Sequence, residues 1–327
     1  WDSTNDGELH WLDVSESSLE AVVDGDIAVY SGVFNSYVDT MDYITITSTG
    51  NATDFGNMTV GKDSCATTAN GGNGRGLHFM GRLSGGTETN IIEYITINTP
   101  GNATDFGDCS SATYNASACS NGINDRGVVS LGIITDSNDS NVLEYVTISS
   151  TGNATDFGDM TVLCSYGGGT SNGINDRGII LRGNSTGGGV TFNNHIEYIT
   201  ISSTGNSTDF GDLTEAKHGL SGTTSNGTSD RAVVGGGVNS SAKVNVIEYF
   251  TISSTGNATD FGDLSNTHKY VGAASNGTGD RAVWSGGFDA TVNVMEYVTI
   301  SSTGNATDFG DSTASGMSQG VSNAGGN

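Results

Sequence analysis

Oxygen-bearing side chains recur at fixed spacing in a phrase that reads Asn-Ala-Thr-Asp-Phe-Gly-Asp. In one copy, Asn153, Asp156 and Asp159 stand at intervals of three residues around a glycine. Carboxylate and amide oxygens are the ligands that calcium prefers, although an EF-hand loop has alternate ligands and a terminal glutamate. The phrase therefore predicts a calcium loop or, in the interpretation we favour, a turn whose Asn and Asp side chains bind backbone amides and whose Phe anchors the loop. The calcium candidates are Asp54, Asp105, Asp156, Asp159, Asp209, Asp212, Asp260, Asp263, Asp308 and Asp311.

Each copy of the phrase is also an N-glycosylation sequon, because it begins Asn-Ala-Thr or Asn-Ser-Thr. A chain rich in Asn, Ser and Thr contains some sequons by composition alone, and further sequons do lie outside the phrase. The candidate acceptors in the phrase are Asn51, Asn102, Asn153, Asn206, Asn257 and Asn305.

One arginine and one carboxylate recur in nearly every repeat. The planar guanidinium group satisfies carboxylate or carbonyl oxygens, so we interpret these arginines as structural struts, with ligand binding as the alternative. Ile27 occupies the arginine position near the N-terminus, and no strut is expected there. The arginines are Arg75, Arg126, Arg177, Arg231 and Arg281, and the carboxylates are Asp42, Glu93, Glu144, Glu197, Glu248 and Glu296.

No catalytic constellation emerges from the remaining residues. The Asp-Phe-Gly triplets lack the other motifs of a protein kinase. The five histidines occupy different contexts, so neither a zinc site nor a Ser-His-Asp arrangement is predicted. Two interpretations of the four cysteines stay open. The cysteines could form two disulfides, with Cys109–Cys119 and Cys65–Cys164 as one of three possible connectivities, or all four could be free buried thiols.

The elements that position these residues follow from a repeat of about 50 residues, with Asp-Phe-Gly cores at Asp54, Asp105, Asp156, Asp209, Asp260 and Asp308. Such a period predicts one supersecondary unit per repeat, stacked on its neighbours. Fifty Gly and one Pro in 327 residues, with strand-forming runs between Gly, Asn, Ser and Thr clusters, predict short β-strands and tight turns. Only residues 15–23 have helical patterning.

Four antiparallel strands per repeat are expected. In the third repeat we place them at 127–133, 142–148 and 157–162, with a weaker, Gly-rich fourth strand at 164–171 on the outer edge. Radial repetition of four strands is the pattern of a β-propeller blade. The segments 26–33 and 41–46 match 280–287 and 295–300, and so supply strands that the last repeat lacks. We therefore predict an all-β, six-bladed propeller over residues 26–327, closed by its N-terminal strands, after an N-terminal extension at 1–25. An open solenoid is the alternative.

A formal net charge of -25 argues against nucleic-acid binding and against adhesion to anionic membranes. We find neither a secretory hydrophobic region nor a run of apolar residues long enough to span a membrane. Diffuse acidity also suits divalent cations, so calcium is the single cofactor considered.

The phrase Ser-Thr-Gly-Asn-Ala-Thr-Asp-Phe-Gly-Asp-Leu, followed by a Gly/Ser-rich stretch and by Arg-Gly/Ala-Val with Gly-Gly, resembles the repeat of kelch-like propeller proteins of marine viruses, notably tailed phages of cyanobacteria and other marine bacteria. The resemblance covers residues 26–327. This chain departs from it by often lacking a basic residue after Asp-Leu-Thr and by its acidic N-terminal extension. The resemblance implies a virion structural or tail-fibre protein.

Two classes of function remain. The first is a non-enzymatic component of a virion surface or extracellular fibre, which binds a host glycan or protein or assembles with other virion or fibre subunits. Variable loops on a rigid framework favour it, because loops usually carry recognition. Trp284 and Tyr270 are aromatic candidates for contact with a sugar, while the repeated Tyr43, Tyr94, Tyr145, Tyr198, Tyr249 and Tyr297 are expected in the interior. The alternative is a secreted hydrolase or lyase that uses the central channel of the propeller.

Overall fold

The computed structural model of the chain describes residues 25–134, 138–184, 191–288 and 293–324. The predicted helix at 15–23 and all but the last residue of the extension lie outside these residues. Within them the fold is all-β, with 26 strands and several short 3-10 turns. The strands are β1 (Ile27–Val33), β2 (Thr40–Thr45), β3 (Thr53–Asn57), β4 (Lys62–Asp63), β5 (Ala66–Ala69), β6 (Arg75–Leu83), β7 (Glu88–Thr96), β8 (Thr104–Tyr114), β9 (Ser117–Ser120), β10 (Arg126–Ser130), β11 (Ile133–Ile134), β12 (Asn138–Thr147), β13 (Thr155–Cys164), β14 (Gly168–Ser171), β15 (Arg177–Leu181), β16 (Asn193–Thr200), β17 (Thr208–Lys217), β18 (Thr223–Ser225), β19 (Arg231–Gly235), β20 (Val244–Thr251), β21 (Thr259–His268), β22 (Gly272–Ser275), β23 (Arg281–Ser285), β24 (Val294–Thr299), β25 (Thr307–Asp311) and β26 (Met317–Ser322).

The strands form four-stranded antiparallel groups, as the repeat predicts. Sheet I has the order β26-β1-β2-β3, sheet IV β14-β15-β16-β17, sheet V β18-β19-β20-β21 and sheet VI β22-β23-β24-β25. Two further groups, sheet II (β5-β6-β7-β8) and sheet III (β9-β10-β12-β13), are joined into one ten-stranded sheet because β11 pairs with both β8 and β12. The prediction of an all-β fold with repeated antiparallel sheets is confirmed.

The hydrophobic core is divided among the interfaces between successive sheets. Leu143 and Phe157 of sheet III, for example, pack with Ile180 and Ile199 of sheet IV. Equivalent clusters join II to III, IV to V and V to VI, and further clusters join VI to I and I to II. Each sheet therefore buries apolar side chains on both faces, which explains why its central strands lack a simple polar–apolar alternation.

The predicted position of the fourth strand is wrong. Residues Gly168–Ser171 pair with β15 and so belong to the next sheet, and β14 contacts the first strands β9 and β18 of the neighbouring sheets. Small residues permit this close approach. A Cβ atom on Gly169 would lie 2.3 Å from the carbonyl oxygen of Ala118, which is shorter than any contact that real Cβ atoms make.

Sheet I joins segments from both ends of the described chain. The register pairs Val29 with Val321 and Tyr30 with Gly320, so the predicted completion of one sheet from distant segments is present. The first strands β5, β9, β14, β18, β22 and β26 each contact the next, and β26 contacts β5. Among the described residues, no helix has the length and apolarity required to cross a bilayer.

Candidate functional site

The repeated phrase forms a clasp between successive sheets. Gly205 N donates to Phe157 O at 2.8 Å and Ser207 N donates to Asp159 O at 2.9 Å. The Asn206 side chain accepts a third hydrogen bond, from Asp159 N at 3.0 Å. The buried Phe157 ring meets Tyr145 edge to face. Most of the phrase from Asn153 to Asp159 lies in strand β13 and does not form the turn that we predicted. The Asn that begins each phrase does bind a backbone amide, and that amide belongs to the preceding repeat.

The calcium candidates are spread over the six clasps, with one or two aspartates in each clasp. Among the described residues, no three His, Cys, Asp or Glu side chains converge as a metal site would require. The sequon residues Asn51, Asn102, Asn153, Asn206, Asn257 and Asn305 are exposed, and each side-chain oxygen accepts a backbone N–H of the preceding clasp.

The repeated arginines connect each sheet to the following one. Arg177 stacks over Tyr198, with its guanidinium carbon 4.5 Å from the ring centre, and donates to Ile252 O of sheet V at 3.2 Å. Arg75, Arg126, Arg231 and Arg281 make the same two contacts with their own Tyr and with the next sheet. The five tyrosines beneath these arginines are therefore half-buried supports, and they do not lie fully in the interior. The backbone N–H of each repeated arginine also donates to an Asn side chain, as Arg177 N does to Asn172. Ile27, at the arginine position of sheet I, keeps the equivalent hydrogen bond to Asn323 but has no guanidinium group.

The repeated carboxylates connect each sheet to the preceding one. Glu248 is fully buried, accepts Thr214 N of sheet IV at 2.6 Å and pairs with the buried Lys217 at 2.5 Å. Lys62 and Glu93 form an equivalent buried pair at 2.6 Å. Burial alone would raise the pKa of Glu93, but the attraction of Lys62 and its hydrogen bond lower it below the usual value.

A second set of positions varies among the repeats, although the backbone conformation at these positions is constant. Ser64, Asn115, Tyr166 and Tyr270 all have φ between 54° and 57°, the left-handed region that bulky residues rarely adopt. Backbone hydrogen bonds link these positions, from Asn115 N to Ser64 O, Tyr166 N to Asn115 O, Gly219 N to Tyr166 O and Tyr270 N to Gly219 O. The residue just before each of these is, in order, Asp63, Tyr114, Ser165, His218 and Lys269.

Aromatic side chains, among them Tyr166 and Tyr270 of this series, gather at one side of it. Phe34 stacks on Tyr270 at 4.4 Å between ring centres, and Phe288 meets Phe34 edge to face. Tyr166 lies 5.8 Å from Tyr270 and 5.4 Å from His218. We call this surface the aromatic face. Burial raises the pKa of Tyr166 and Tyr270 and, aided by Lys269, lowers that of His218 to about 4, so these groups are neutral near pH 7.

Cations frame the aromatic face on two sides. The Arg82 guanidinium lies 5.2 Å from the Tyr114 ring centre and 5.7 Å from that of Tyr37. It pairs with the buried Asp63 at 3.0 Å and donates to the Asn35 side chain at 2.8 Å. Lys269 lies 4.8 Å from the Phe288 ring centre. Sequence reasoning named only Tyr270 from this face, because its other residues share no motif. Alignment of the six repeats shows them as variable positions between constant flanks.

A narrow central cavity opens beneath the aromatic face. Its mouth is lined by Phe34, Ser64, Asn115, Tyr166 and Tyr270, among others. The deeper part is bordered by the first strands of all six sheets, and its lining residues are Ala66, Thr67, Ala116, Ser117, Ala118, Gly167, Gly168, Gly169, Ser221, Thr223, Ala273, Gln319 and Gly320. At the opposite end lie the 3-10 turns, where Ile123 and Ile174 are exposed.

Three sequence-based expectations need correction. Tyr270 is only 7% exposed and stacks on Phe34, so its ring is largely covered. Trp284 is only 2% exposed and donates to Gly222 O, so it packs between sheets and cannot meet a sugar. The four cysteines are free and buried, which overturns the disulfide alternative. Burial raises the pKa of Cys65, Cys119 and Cys164 to about 12, so these thiols are protonated.

No protein-family model matches the chain, and no curated protein matches it either. The resemblance to kelch-like propeller proteins of marine phages stays a prediction.

Proposed function

We propose that the chain is a non-enzymatic attachment module of a virion surface or extracellular fibre, built as a closed six-bladed kelch-like β-propeller. The six four-stranded groups, the cyclic contacts of their first strands and the pairing of β1 with β26 support the closed ring. Closure would leave few exposed sheet edges. The phage resemblance supports the virion or fibre setting.

The observation that carries the attachment role is the separation of two kinds of residue. Repeated Arg, Glu, Asn, Phe and Gly residues hold successive sheets together, whereas the residues that differ between repeats collect on the aromatic face. Aromatic rings beside charged and neutral polar groups are typical of recognition surfaces. A glycan on a host surface is the partner that we propose, and docking to other virion or fibre subunits is the second possibility.

The central cavity supports binding more than hydrolysis or lyase chemistry. Its lining side chains are Ala, Gly, Ser, Thr and Gln, and the mouth adds neutral tyrosines. A general acid or base works best with a pKa near the operating pH, and the Ala, Gly, Ser, Thr and Gln side chains of the lining do not supply such a group.

The test of attachment is binding of the purified chain to a glycan array and to intact marine bacteria, with calcium and with a chelator. We expect saturable binding to both. Loss of binding in chelator would assign calcium to the Asp-rich clasps. Absence of binding to every glycan and cell would overturn the attachment role and leave assembly with virion subunits.

The closed ring has a separate test. Electron micrographs of the isolated chain should show a round projection with six lobes. An elongated particle would overturn the propeller and favour the solenoid.

A further inference from the structure

We propose that the rim of the mouth of the central cavity, to which Tyr166 belongs, binds a terminal neutral pyranose of a glycan. This inference rests on the proposed attachment function and names the site and the class of ligand. The mouth is defined here by Phe34, Ser64, Asn115, Tyr166 and Tyr270.

The backbone holds the two tyrosines in place at an energetic cost. Tyr166 and Tyr270 have φ of 54° and 57°, and bulky residues in the left-handed region are uncommon and strained. Gly219 occupies the same position in another repeat, with φ of 74°. Because glycine adopts this conformation readily, the backbone does not require tyrosine there. The rings are therefore present for what they contact.

Unpartnered hydroxyl groups mark the inside of the same mouth. Ser64 is 3% exposed and Ser117 is 4% exposed, yet neither Oγ atom has a hydrogen-bond partner among the described residues. Ser64 lines the mouth and Ser117 lines the cavity directly below it. A buried hydroxyl without a hydrogen-bond partner is energetically costly. A ligand hydroxyl that reached the mouth would remove part of this cost.

The side chains around the mouth combine flat apolar rings with donors and acceptors of hydrogen bonds. A pyranose has the complementary surface, since one face of the ring presents C–H groups and its edge presents hydroxyls. Phe34 and Tyr166 keep part of their ring surface exposed, whereas Tyr270 is buried and stacks on Phe34. The partly exposed Arg82, paired with Asp63, offers charge-assisted hydrogen bonds beside these rings. A net charge of -25 disfavours sulfated or otherwise polyanionic glycans, so we assign a neutral sugar.

The test uses a substitution that the chain itself suggests. Tyr166→Gly removes the ring and places at this position the residue that Gly219 supplies elsewhere, so the fold should be retained and its left-handed strain relieved. We expect at least a tenfold rise in Kd for the array glycans that bind the unaltered chain, equivalent to about 1.4 kcal/mol. The matched control is Ile174→Thr at the opposite end of the cavity, where Thr228 occupies the equivalent position, and it should change Kd less than twofold.

Ligand class is measured on the same protein. Saturation-transfer NMR with methyl glycosides of glucose, galactose, mannose and N-acetylglucosamine should give signals with the full chain and lose them in Tyr166→Gly. Glycan binding that is unchanged in Tyr166→Gly would overturn the site and leave the attachment function standing. Binding confined to anionic glycans would overturn the neutral-sugar assignment. A full chain that binds neither glycans nor cells would overturn the attachment function itself.

Discussion

His78 is the most unusual single residue in the interior. The corresponding positions of other repeats hold Val129, Ile180 and Val234, but His78 is completely buried with neither ring nitrogen hydrogen-bonded among the described residues. Burial lowers the pKa of His78 to about 4. The positive charge of Lys62 acts in the same direction, and the negative charge of Glu93 opposes both effects. Its imidazole is therefore neutral in the folded protein, whereas an unfolded chain would protonate it below pH 6.5.

This difference predicts a loss of stability in mild acid. Between pH 6.5 and about 4 the unfolded state binds a proton at His78 that the folded state does not. The free energy of unfolding therefore decreases as the pH is lowered from 6.5 to about 4, and it levels off below pH 4. The contribution is on the order of 3 kcal/mol. His78→Val, which copies the other repeats, should flatten this part of a urea-unfolding profile against pH. An identical pH profile for the variant would contradict the neutral buried imidazole.

The buried pair of Lys217 and Glu248 leads to a second prediction at the scale of the residue. Both side chains have zero exposure. Lys217→Met should reduce the free energy of unfolding by roughly 3–5 kcal/mol, because it leaves a buried carboxylate without its cation. The double change Lys217→Met with Glu248→Gln removes the stranded charge and should restore part of the loss. Denaturant unfolding of the two variants measures this, and an equal loss in both would argue against the ion pair.

At the scale of the element, the glycine of the repeated Asp-Phe-Gly is a packing requirement. A Cβ atom on Gly158 would lie 2.5 Å from Gly205 O, and φ there is 144°. Gly158→Ala should therefore destabilise the clasp by roughly 1–3 kcal/mol, as overpacking usually does. Gly101→Ala is the control, because its nearest neighbour would be 4.0 Å away and its φ lies outside the left-handed region. Equal thermal stability of the two variants would contradict the clasp.

The extent to which the elements could be predicted depended on whether their partners lie in the same repeat. Strands β12 and β13 pair locally and have β-branched or aromatic residues, so periodicity located them. Strand β14 is Gly-Gly-Thr-Ser, has no periodicity and pairs with the next repeat, so it was placed in the wrong sheet. The aromatic face was missed for the same physical reason. Its members are distant in sequence and are brought together only by the stacking of sheets.

At the scale of the whole molecule, sheet I depends on a pairing between residues nearly 300 positions apart, as the hydrogen bond from Ile27 N to Asn323 shows. A chain that ends at Gly316 lacks β26 and would expose the edge of β1. We expect it to self-associate and to unfold at lower temperature, because an unpaired edge is a template for another chain. A chain that ends at Ala324 retains β26 and is the control. Light scattering and circular dichroism compare them, and a stable monomeric shorter chain would contradict the role of the β1–β26 pairing.

The pairing of β1 with β26 also depends on the order in which the chain is synthesised. On the ribosome, strands β22 to β25 become available in sequence and can pair as they emerge, whereas β1 must wait until residue 322 has left the exit tunnel before it receives β26. Closing so long a loop is slow compared with forming a hairpin. During this interval two nascent chains on one messenger could exchange their β26 strands, so the rate of translation, and not only the final stability, would decide how many molecules close on themselves.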